Sequence, residues 1–174
     1  MASFPELETE RLRLRHWRES DVDPLHAFYR DPLSASVYGE DVKRSDVWRR
    51  IALHIGHWQL RGFGAWAIED KATGRFAGHG GLWFPEGWDD VEVGYGIAPE
   101  FRRRGYAVEL AKCVRDYGYR NAGLKRLVSY IDPGNTASIK VAEKLGARPD
   151  GEFLMHGKPQ LVYLHTNTDT SKEN

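Results

Sequence analysis

The stretch VEVGYGIAPEFRRRGYA (residues 91–107) joins a predicted strand to a predicted helix and decides the fold assignment. Its first half alternates apolar residues with Glu92 and two glycines, which is the pattern of a strand with two different faces. Pro99 ends the strand because it has no N–H for the ladder. Three arginines and Gly105 follow, immediately before a helical pattern.

The triplet Arg102, Arg103 and Arg104 lies at a helix N-terminus, where the peptide dipoles already place about half a positive charge. Such crowding costs stability unless an anion binds there. Free main-chain N–H groups of the first turn, a glycine that lets a ligand approach the main chain and neighbouring guanidinium groups together favour phosphate binding. The alternative is a basic helix end exposed to solvent. We predict a phosphate site around Gly105.

The predicted strand offers a second contact surface. Glu92 and the two glycines share one face, so a ligand has room to lie beside a carboxylate. Since Pro99 stops the ladder, main-chain groups near Ile97 and Ala98 are predicted to pair with amide groups of a ligand. A ligand that carries both amides and a diphosphate would satisfy the strand and the phosphate site together.

Composition limits the class of protein. The 174 residues suit one domain, and 25 basic residues balance 25 acidic ones, so no overall charge attracts nucleic acid or an anionic membrane. Cys113 is the only cysteine, which excludes an internal disulfide and a cysteine-based metal cluster. No apolar run reaches the roughly 18 residues of a membrane span, and the N-terminus has no signal-peptide core. We expect a cytoplasmic protein without membrane or nucleic-acid partners.

Hydrophobic periodicity predicts an α/β fold of the α+β type, with a mixed, largely antiparallel sheet and helices on both faces. The first strand, residues 11–17, is expected to bury its leucines and to expose Arg11, Arg13 and Arg15. Residues 7–166 are predicted to form one domain and residues 167–174 a disordered tail. The predicted helices are residues 20–31 with Ser20 as N-cap, 45–60, 104–121 and 136–145; the other predicted strands are residues 63–70, 75–84, 91–98, 126–132, 151–153 and 161–165.

These features resemble the GNAT superfamily of acetyl-CoA-dependent N-acetyltransferases, and within it the branch of the ribosomal-protein alanine acetyltransferases. The superfamily's diphosphate motif is glutamine or arginine, two residues, glycine, one residue, then glycine or alanine. Arg102, Gly105 and Ala107 stand at those places. A second segment, NTASIKVAEKLGA (residues 135–147), resembles its closing helix. LETERLRLR (residues 7–15) and the two hairpin strands also match, so the resemblance spans most of the chain.

The resemblance implies an enzyme that transfers an acetyl group from acetyl-CoA to a primary amine by direct attack in a ternary complex, without a metal. Main-chain N–H groups from Arg103 through Tyr106 to Ala107 would hold the diphosphate. Ile97 and Ala98 would pair with the pantetheine amides. One of the three arginines would contact the 3′-phosphate of the nucleotide.

Acetyl transfer also needs a base for the amine, a polarised carbonyl and a proton for the departing thiolate. Glu92 is the candidate base, unless it is only an exposed strand carboxylate, and a main-chain N–H near Ile97 would polarise the carbonyl. Many superfamily members carry a tyrosine where this chain has Ala142, which removes that proton donor. Ser138 is the candidate replacement, unless it is an ordinary helix serine. Asn135 would hold the pantetheine, cap the helix, or do both.

The acceptor is left open by the sequence: an amine on a small molecule or a protein N-terminus, bound by a monomer or a homodimer, in a pocket expected from residues 32–64 and 85–90. The missing tyrosine keeps a non-catalytic acyl-CoA-binding domain as an alternative. A dinucleotide-dependent oxidoreductase is disfavoured, because no glycine-rich turn follows the first strand. His54 and His57 are interpreted as surface histidines rather than metal ligands, and Cys113 has no basic residue placed to activate it.

Overall fold

The structure is a computed structural model that describes residues 4–167, and it contains one eight-stranded sheet and five α-helices within that range. The strands are β1 Leu7–Glu8, β2 Leu12–Arg15, β3 Ala65–Asp70, β4 Phe76–Trp83, β5 Val91–Ile97, β6 Leu127–Ile131, β7 Arg148–Met155 and β8 Lys158–Leu164. The helices are α1 Val22–Arg30, α2 Pro32–Tyr38, α3 Arg44–Arg61, α4 Tyr106–Arg120 and α5 Thr136–Lys144; 3-10 turns cover Glu19–Asp21 and Pro99–Phe101.

The sheet has the strand order β1-β2-β3-β4-β5-β6-β8-β7, and β5–β6 is its parallel pair. All other neighbours are antiparallel, which confirms the predicted mixed, largely antiparallel sheet. Of the predicted tail, residues 168–174 lie outside the described residues. Between residues 4 and 167, no helix has the length and apolar composition needed to cross a bilayer.

Helices cover both faces of the sheet at its centre. A Cβ atom added to Gly80 of β4 would meet the side chain of Leu110 in α4 at 2.8 Å. A Cβ atom added to Gly96 of β5 would meet the ring of Phe28 in α1, also at 2.8 Å. Gly96 is paired with His79, the neighbour of Gly80, so the two glycines face opposite sides of the sheet. The close approach of α1 and α4 therefore requires residues without side chains at these positions.

The first helical region differs from its prediction. The segment is divided at Asp31-Pro32 into α1 and α2, and α2 was not predicted as a helix. The Asp31 carboxylate caps α2 by accepting from the N–H of Ser34 at 3.1 Å, and Pro32 occupies the first turn, where its missing N–H costs nothing. Asp21, rather than the predicted Ser20, is the N-cap residue of α1. The Asp-Pro pair starts a second helix as well as ending the first.

Arg15 was predicted to be exposed, and this prediction was wrong. Its side chain is buried and forms two hydrogen bonds of 2.8 Å to the buried carboxylate of Asp21. Its Nε atom donates to Glu69 at 3.0 Å. Strand periodicity places side chains by polarity alone, whereas a charge can be buried where a paired carboxylate and hydrogen bonds compensate for desolvation.

Candidate active site

The parallel strands β5 and β6 separate after two residue pairs, Val91–Leu127 and Glu92–Val128. Beyond them the next contact between the strands is made by a side chain: the Ser129 hydroxyl donates to the carbonyl of Val93 at 2.8 Å. We call the space between β5 and β6 beyond the Glu92–Val128 pair the gap. It exposes the edge of a central strand, where main-chain groups are free to bind a ligand.

The main-chain groups of Tyr95 and Ile97 face the gap. The N–H of Ala98 donates to the carbonyl of Ala77 at 2.8 Å, and alternate residues of an antiparallel ladder point to opposite sides. Tyr95 and Ile97 therefore point away from β4. The Ile97 carbonyl accepts from Nε of Arg102 at 2.9 Å, which leaves the Ile97 N–H and both groups of Tyr95 for a ligand.

Ala98 differs from its predicted role as a ligand contact. Its N–H is used in the ladder, and its carbonyl accepts from the N–H of Phe101 at 2.9 Å in the following 3-10 turn. The 3-10 turn begins at Pro99, directly after Ala98. Both main-chain groups of Ala98 are therefore used within the protein and not available to an extended ligand. Tyr95, on the same edge as Ile97, takes this place.

The N-terminus of α4 lies just beyond the end of β5. Gly105 is its N-cap residue, with a left-handed φ of 82°, and no side chain caps the helix. Glu109 donates its N–H to the Gly105 carbonyl at 3.1 Å as the first intrahelical bond. The N–H groups of Tyr106, Ala107 and Val108 therefore have no intrahelical acceptor. These free amides and the positive end of the helix dipole lie where the sequence predicts an anion site, which stays a prediction.

Arg102 holds the end of β5 and the start of α2 together. Besides Ile97, its guanidinium donates to the Asp31 carboxylate at 2.7 Å and to the Ser34 hydroxyl at 2.8 Å. Burial opposes the ionisation of Asp31, but the Arg102 guanidinium and the Ser34 N–H outweigh it and hold the pKa of Asp31 below its ordinary value. Arg102 is thus occupied by protein groups, and among the three arginines Arg103 and Arg104 are the exposed ones.

A network around Arg11 supports the turn before α4. Arg11 donates to the Arg104 carbonyl at 2.8 Å and forms an ion pair of 2.6 Å with Glu109 in the first turn of α4. The Arg11 guanidinium also lies over the Tyr106 ring, and the Tyr106 hydroxyl donates to Asp70 at 2.6 Å. These contacts fix the backbone of the turn before a ligand arrives, which reduces the entropy cost of binding.

The glycine face of β5 is only partly open. A Cβ atom added to Gly96 would lie near Phe28, 2.9 Å from Nε2 of His79 and 3.2 Å from the Tyr38 hydroxyl, so the expected room is filled there. A Cβ atom added to Gly94 would have only the side chain of Glu92 within 4 Å. The open part of this face is therefore the space beside Glu92. The room that the sequence predicts for a ligand does not extend to Gly96.

Glu92 has the properties of a base that is poised near neutral pH. Burial raises the pKa of its carboxyl to about 8, and an interaction with the main-chain N–H of Tyr130 acts in the opposite direction. Glu92 is half-buried, so it is not a fully exposed strand carboxylate. Burial raises the pKa of the Tyr38 hydroxyl too, and the nearby charge of Glu92 adds to that shift. Tyr38 of α2 and Tyr130 of β6 thus flank Glu92.

The first turn of α5 lies across the gap from β5. The Asn135 side chain accepts from the Ser138 N–H at 3.1 Å, so Asn135 is the N-cap. The Tyr95 hydroxyl donates to the Ser138 carbonyl at 3.4 Å, and burial raises the pKa of Tyr95 to about 12. Ser138 is half-buried, whereas Ala142 is buried. The Tyr95 hydroxyl therefore lies between β5 and α5, beside the main chain of Ser138.

The histidines considered as metal ligands have other roles. His57 is buried, with Nδ1 at 2.9 Å from the Phe63 carbonyl and Nε2 accepting from the Phe84 N–H at 3.0 Å. His54 stacks on Trp17, so neither is the surface histidine that was predicted. Residues 4–167 contain no group of three or more His, Cys, Asp or Glu side chains placed to hold a metal. Burial raises the pKa of the Cys113 thiol to about 11, which makes it unreactive.

Several residues at the site carry no local sequence signal. Arg11 and Ser129 reach the site from distant segments, and Tyr38 reaches it from a helix that was not predicted. Tyr95 was assigned only to the apolar face of its strand. The start of α2 could have been inferred from Asp31-Pro32, because an acidic residue followed by proline is a common helix start. The other contacts depend on sheet order.

Comparison with known proteins identifies a family. A family model described as an acetyltransferase (GNAT) domain matches residues 11–148. An uncharacterized protein of Bacillus subtilis, YkkB, is 33% identical over 171 residues, which is 94% of this chain and 96% of that protein. The crystal structure of an acetyltransferase from Agrobacterium tumefaciens is 30% identical, with a TM-score of 0.85 over 96% of this chain and 97% of that one.

The predicted branch has weaker support. The crystal structure of ribosomal-protein-S5-alanine acetyltransferase from Vibrio fischeri has a TM-score of 0.74 at 17% identity, over 95% of this chain and 98% of that one. At this identity the comparison shows a shared fold alone. Membership of the ribosomal-protein branch therefore stays a prediction.

Proposed function

The chain belongs to the GNAT family of acetyltransferases, and from this we propose that it transfers an acetyl group from acetyl-CoA to a primary amine by direct attack in a ternary complex. The observation that carries the proposal is the alignment of the gap with the uncapped N-terminus of α4. The free edge of β5 can pair with the amide groups of a ligand, and the free N–H groups of α4, just beyond that edge, can bind its diphosphate.

The residues fit acetyl-CoA in three places. Tyr106 and Ala107 offer unpaired N–H groups beside Gly105, where a Cβ atom would come within 3.4 Å of Arg11 alone. Tyr95 and the Ile97 N–H offer the strand edge to the pantetheine arm. Arg103 and Arg104 are the exposed cations for the nucleotide phosphates, while Asn135 lies at the start of α5 across the gap. When bound, acetyl-CoA supplies the activated acetyl thioester.

Side-chain and main-chain groups of the protein are proposed to carry out the proton transfers and to polarise the carbonyl. In its deprotonated form, Glu92 accepts the proton of the incoming ammonium, directly or through water, and its raised pKa makes that form a stronger base than an ordinary carboxylate. A main-chain N–H near Ile97 polarises the thioester carbonyl, which needs no side chain. Ser138 provides the proton for the departing thiolate, with the Tyr95 hydroxyl as the second candidate in the same place.

The acceptor is proposed to approach the open face beside Glu92, between α2 and the 85–90 loop. Tyr38 and Tyr130 flank this entrance, and both a small amine and a protein N-terminus are candidates. The chain is proposed to act as one domain over residues 7–166. The ribosomal-protein branch would favour a protein N-terminus as acceptor.

The test is release of CoA from acetyl-CoA in the presence of a panel of primary amines and N-terminal peptides, with CoA binding measured by calorimetry. We expect micromolar to millimolar binding and amine-dependent CoA release, in the usual range of enzyme KM values. Binding without turnover by any acceptor would favour the non-catalytic acyl-CoA-binding domain. Absence of binding would overturn the placement of the cofactor.

A further inference from the structure

The separation of β5 and β6 has a specific cause in the side chains at the inner end of the gap. In a parallel ladder the bonds alternate between strands, so the rung after the Glu92–Val128 pair would run from the Tyr130 N–H to the Val93 carbonyl. That rung is replaced. The Val93 carbonyl accepts from the Ser129 hydroxyl at 2.8 Å instead.

The other half of the missing rung is also engaged elsewhere. The Tyr130 N–H interacts with the carboxyl of Glu92. The Val93 carbonyl that would extend the ladder is thus satisfied by a side chain of β6, and the Tyr130 N–H lies close enough to the Glu92 carboxyl to oppose the rise in its pKa. Buried main-chain groups almost always need a partner, so the strands can part here without an unpaired donor or acceptor. The β4–β5 register runs without a shift from Trp83–Glu92 to Gly78–Ile97, so no bulge explains the separation.

His165 orients the Ser129 hydroxyl. Its Nε2 lies 2.9 Å from the Ser129 Oγ, and both side chains are buried, at 2% and 4% exposure. The Ser129 hydroxyl donates its hydrogen bond to the Val93 carbonyl, so in the contact between Ser129 and His165 the Nε2–H group must be the donor. Burial lowers the pKa of His165 to about 4, and the Arg115 charge adds to this, so the ring is neutral at pH 7. Its Nδ1 has no partner among the described residues.

We propose that Ser129, oriented by His165, is a positioning residue that keeps β5 and β6 apart at Val93 and so holds the gap in the shape that receives the pantetheine arm of acetyl-CoA. This inference rests on the proposed function for the identity of the ligand. It adds a role to residues outside the diphosphate turn and the catalytic groups. Without the serine hydroxyl, the Val93 carbonyl accepts a hydrogen bond from the Tyr130 N–H. This additional main-chain hydrogen bond between β5 and β6 shortens the gap.

The direct test is the hydrogen-bond scalar coupling between the amide nitrogen of Tyr130 and the carbonyl carbon of Val93, measured by NMR without ligand. We expect no coupling in the wild-type protein and a measurable coupling in Ser129→Ala. The conservative variant Ser129→Thr keeps the hydroxyl and should resemble the wild type. A coupling in the wild type, or its absence in Ser129→Ala, would overturn the proposal. This readout does not depend on acetyl-CoA, so it stands even if the proposed function fails.

The binding test uses CoA and calorimetry. Ser129→Ala should weaken CoA binding about 3- to 10-fold, the equivalent of one main-chain hydrogen bond that must be opened again. Ser129→Thr should restore the affinity. Val128→Ala is the matched control, because Val128 is fully buried in the same strand and its side chain has no hydrogen-bonding group. A merely structural role predicts lower melting temperatures for both alanine variants with equal CoA affinity, and that result would refute the proposal.

Discussion

The Nη1 atom of Arg102 lies 2.7 Å from Oδ2 of Asp31, so the first arginine of the triplet joins the turn before α4 to the N-cap of α2. The arginine that matches the diphosphate motif is therefore a structural link between the end of β5 and the start of α2. It sets the distance between the helix that carries Tyr38 and the strand that carries Glu92.

Replacement of this link should be costly even without a ligand. Arg102→Lys cannot contact Ile97, Asp31 and Ser34 at once, because lysine is a single point donor rather than a planar fork. We expect the free energy of unfolding to fall by about 1–3 kcal/mol, since the partly buried Asp31 loses its partner. Urea denaturation measures this fall in the free energy of unfolding. The control is Arg103→Lys, at an exposed position with a left-handed φ of 62°, and equal losses in both variants would contradict the assignment.

Gly105 should matter to binding more than to folding. Gly105→Ala places a Cβ atom beside the free amides of α4 and forces a left-handed alanine, at a cost of roughly 1–2 kcal/mol in stability. CoA affinity should fall at least about tenfold, as expected for one lost hydrogen bond to a charged group. Gly123→Ala is the control, with a φ of 66° and open space around it. If calorimetry shows the same CoA affinity for both variants, the phosphate site lies elsewhere.

Glu92 should impose a pH dependence on turnover. The base must be deprotonated, and burial has raised its pKa to about 8, so kcat/KM should rise with pH and level off above that value. Glu92→Gln should lower kcat by about 10²- to 10⁴-fold and remove this rise. The Glu152→Gln variant, at an exposed position in β7, should retain the wild-type profile. An unchanged profile in Glu92→Gln would exclude Glu92 as the base.

The proton donor can be assigned by two hydroxyl deletions. Ser138→Ala should reduce kcat about 10²-fold with unchanged CoA affinity, as expected for loss of general-acid catalysis. Tyr95→Phe should have a smaller effect, because its hydroxyl donates to the Ser138 carbonyl and burial raises its pKa to about 12. Steady-state kinetics with acetyl-CoA and the preferred amine measures both. The reverse order of effects would assign the proton to Tyr95.

Histidines with depressed pKa values, among them His54 and His79, should make the fold sensitive to acid. Burial lowers the pKa of His54 to about 3 and that of His79 to about 4, from an ordinary value of 6.5. Because the folded-state pKa values are depressed, both rings must stay neutral in the native state. Their contribution to stability is present above pH 6.5 and is lost as the pH falls toward the folded values, by roughly 2 kcal/mol for each ring at pH 5.

The acid sensitivity can be tested with His54→Phe, which keeps an aromatic ring against Trp17 but cannot titrate. The free energy of unfolding of this variant, measured from pH 7 to pH 4.5, should change less steeply than that of the wild type. An identical slope in both proteins would show that His54 is not protonated on unfolding.

The predictability of the fold varied with the kind of interaction. Helix α3, the β3–β4 hairpin, β5 and α4 were predicted close to their bounds, because each has a strong local period or a turn that ends it. Helix α2 was not, since its seven residues are too short for a clear period. Strands β7 and β8 are longer than predicted, and they gain their order from pairing with each other and with β6.

The sequence by itself determined the glycine turn that opens α4 with free amides, because the dihedral freedom of Gly105 and the free amides of a first helical turn are local properties. It also determined the face of β5 that carries Glu92, and it left Asn135 and Thr136 as alternative N-caps of α5, of which the structure has Asn135. Only the tertiary structure decided that Arg102 binds Asp31, that Gly96 is covered by Phe28 and His79, and that Ser129 separates β5 from β6. Those contacts join residues that are distant in sequence, and their energies depend on burial and partner geometry, which no local pattern encodes.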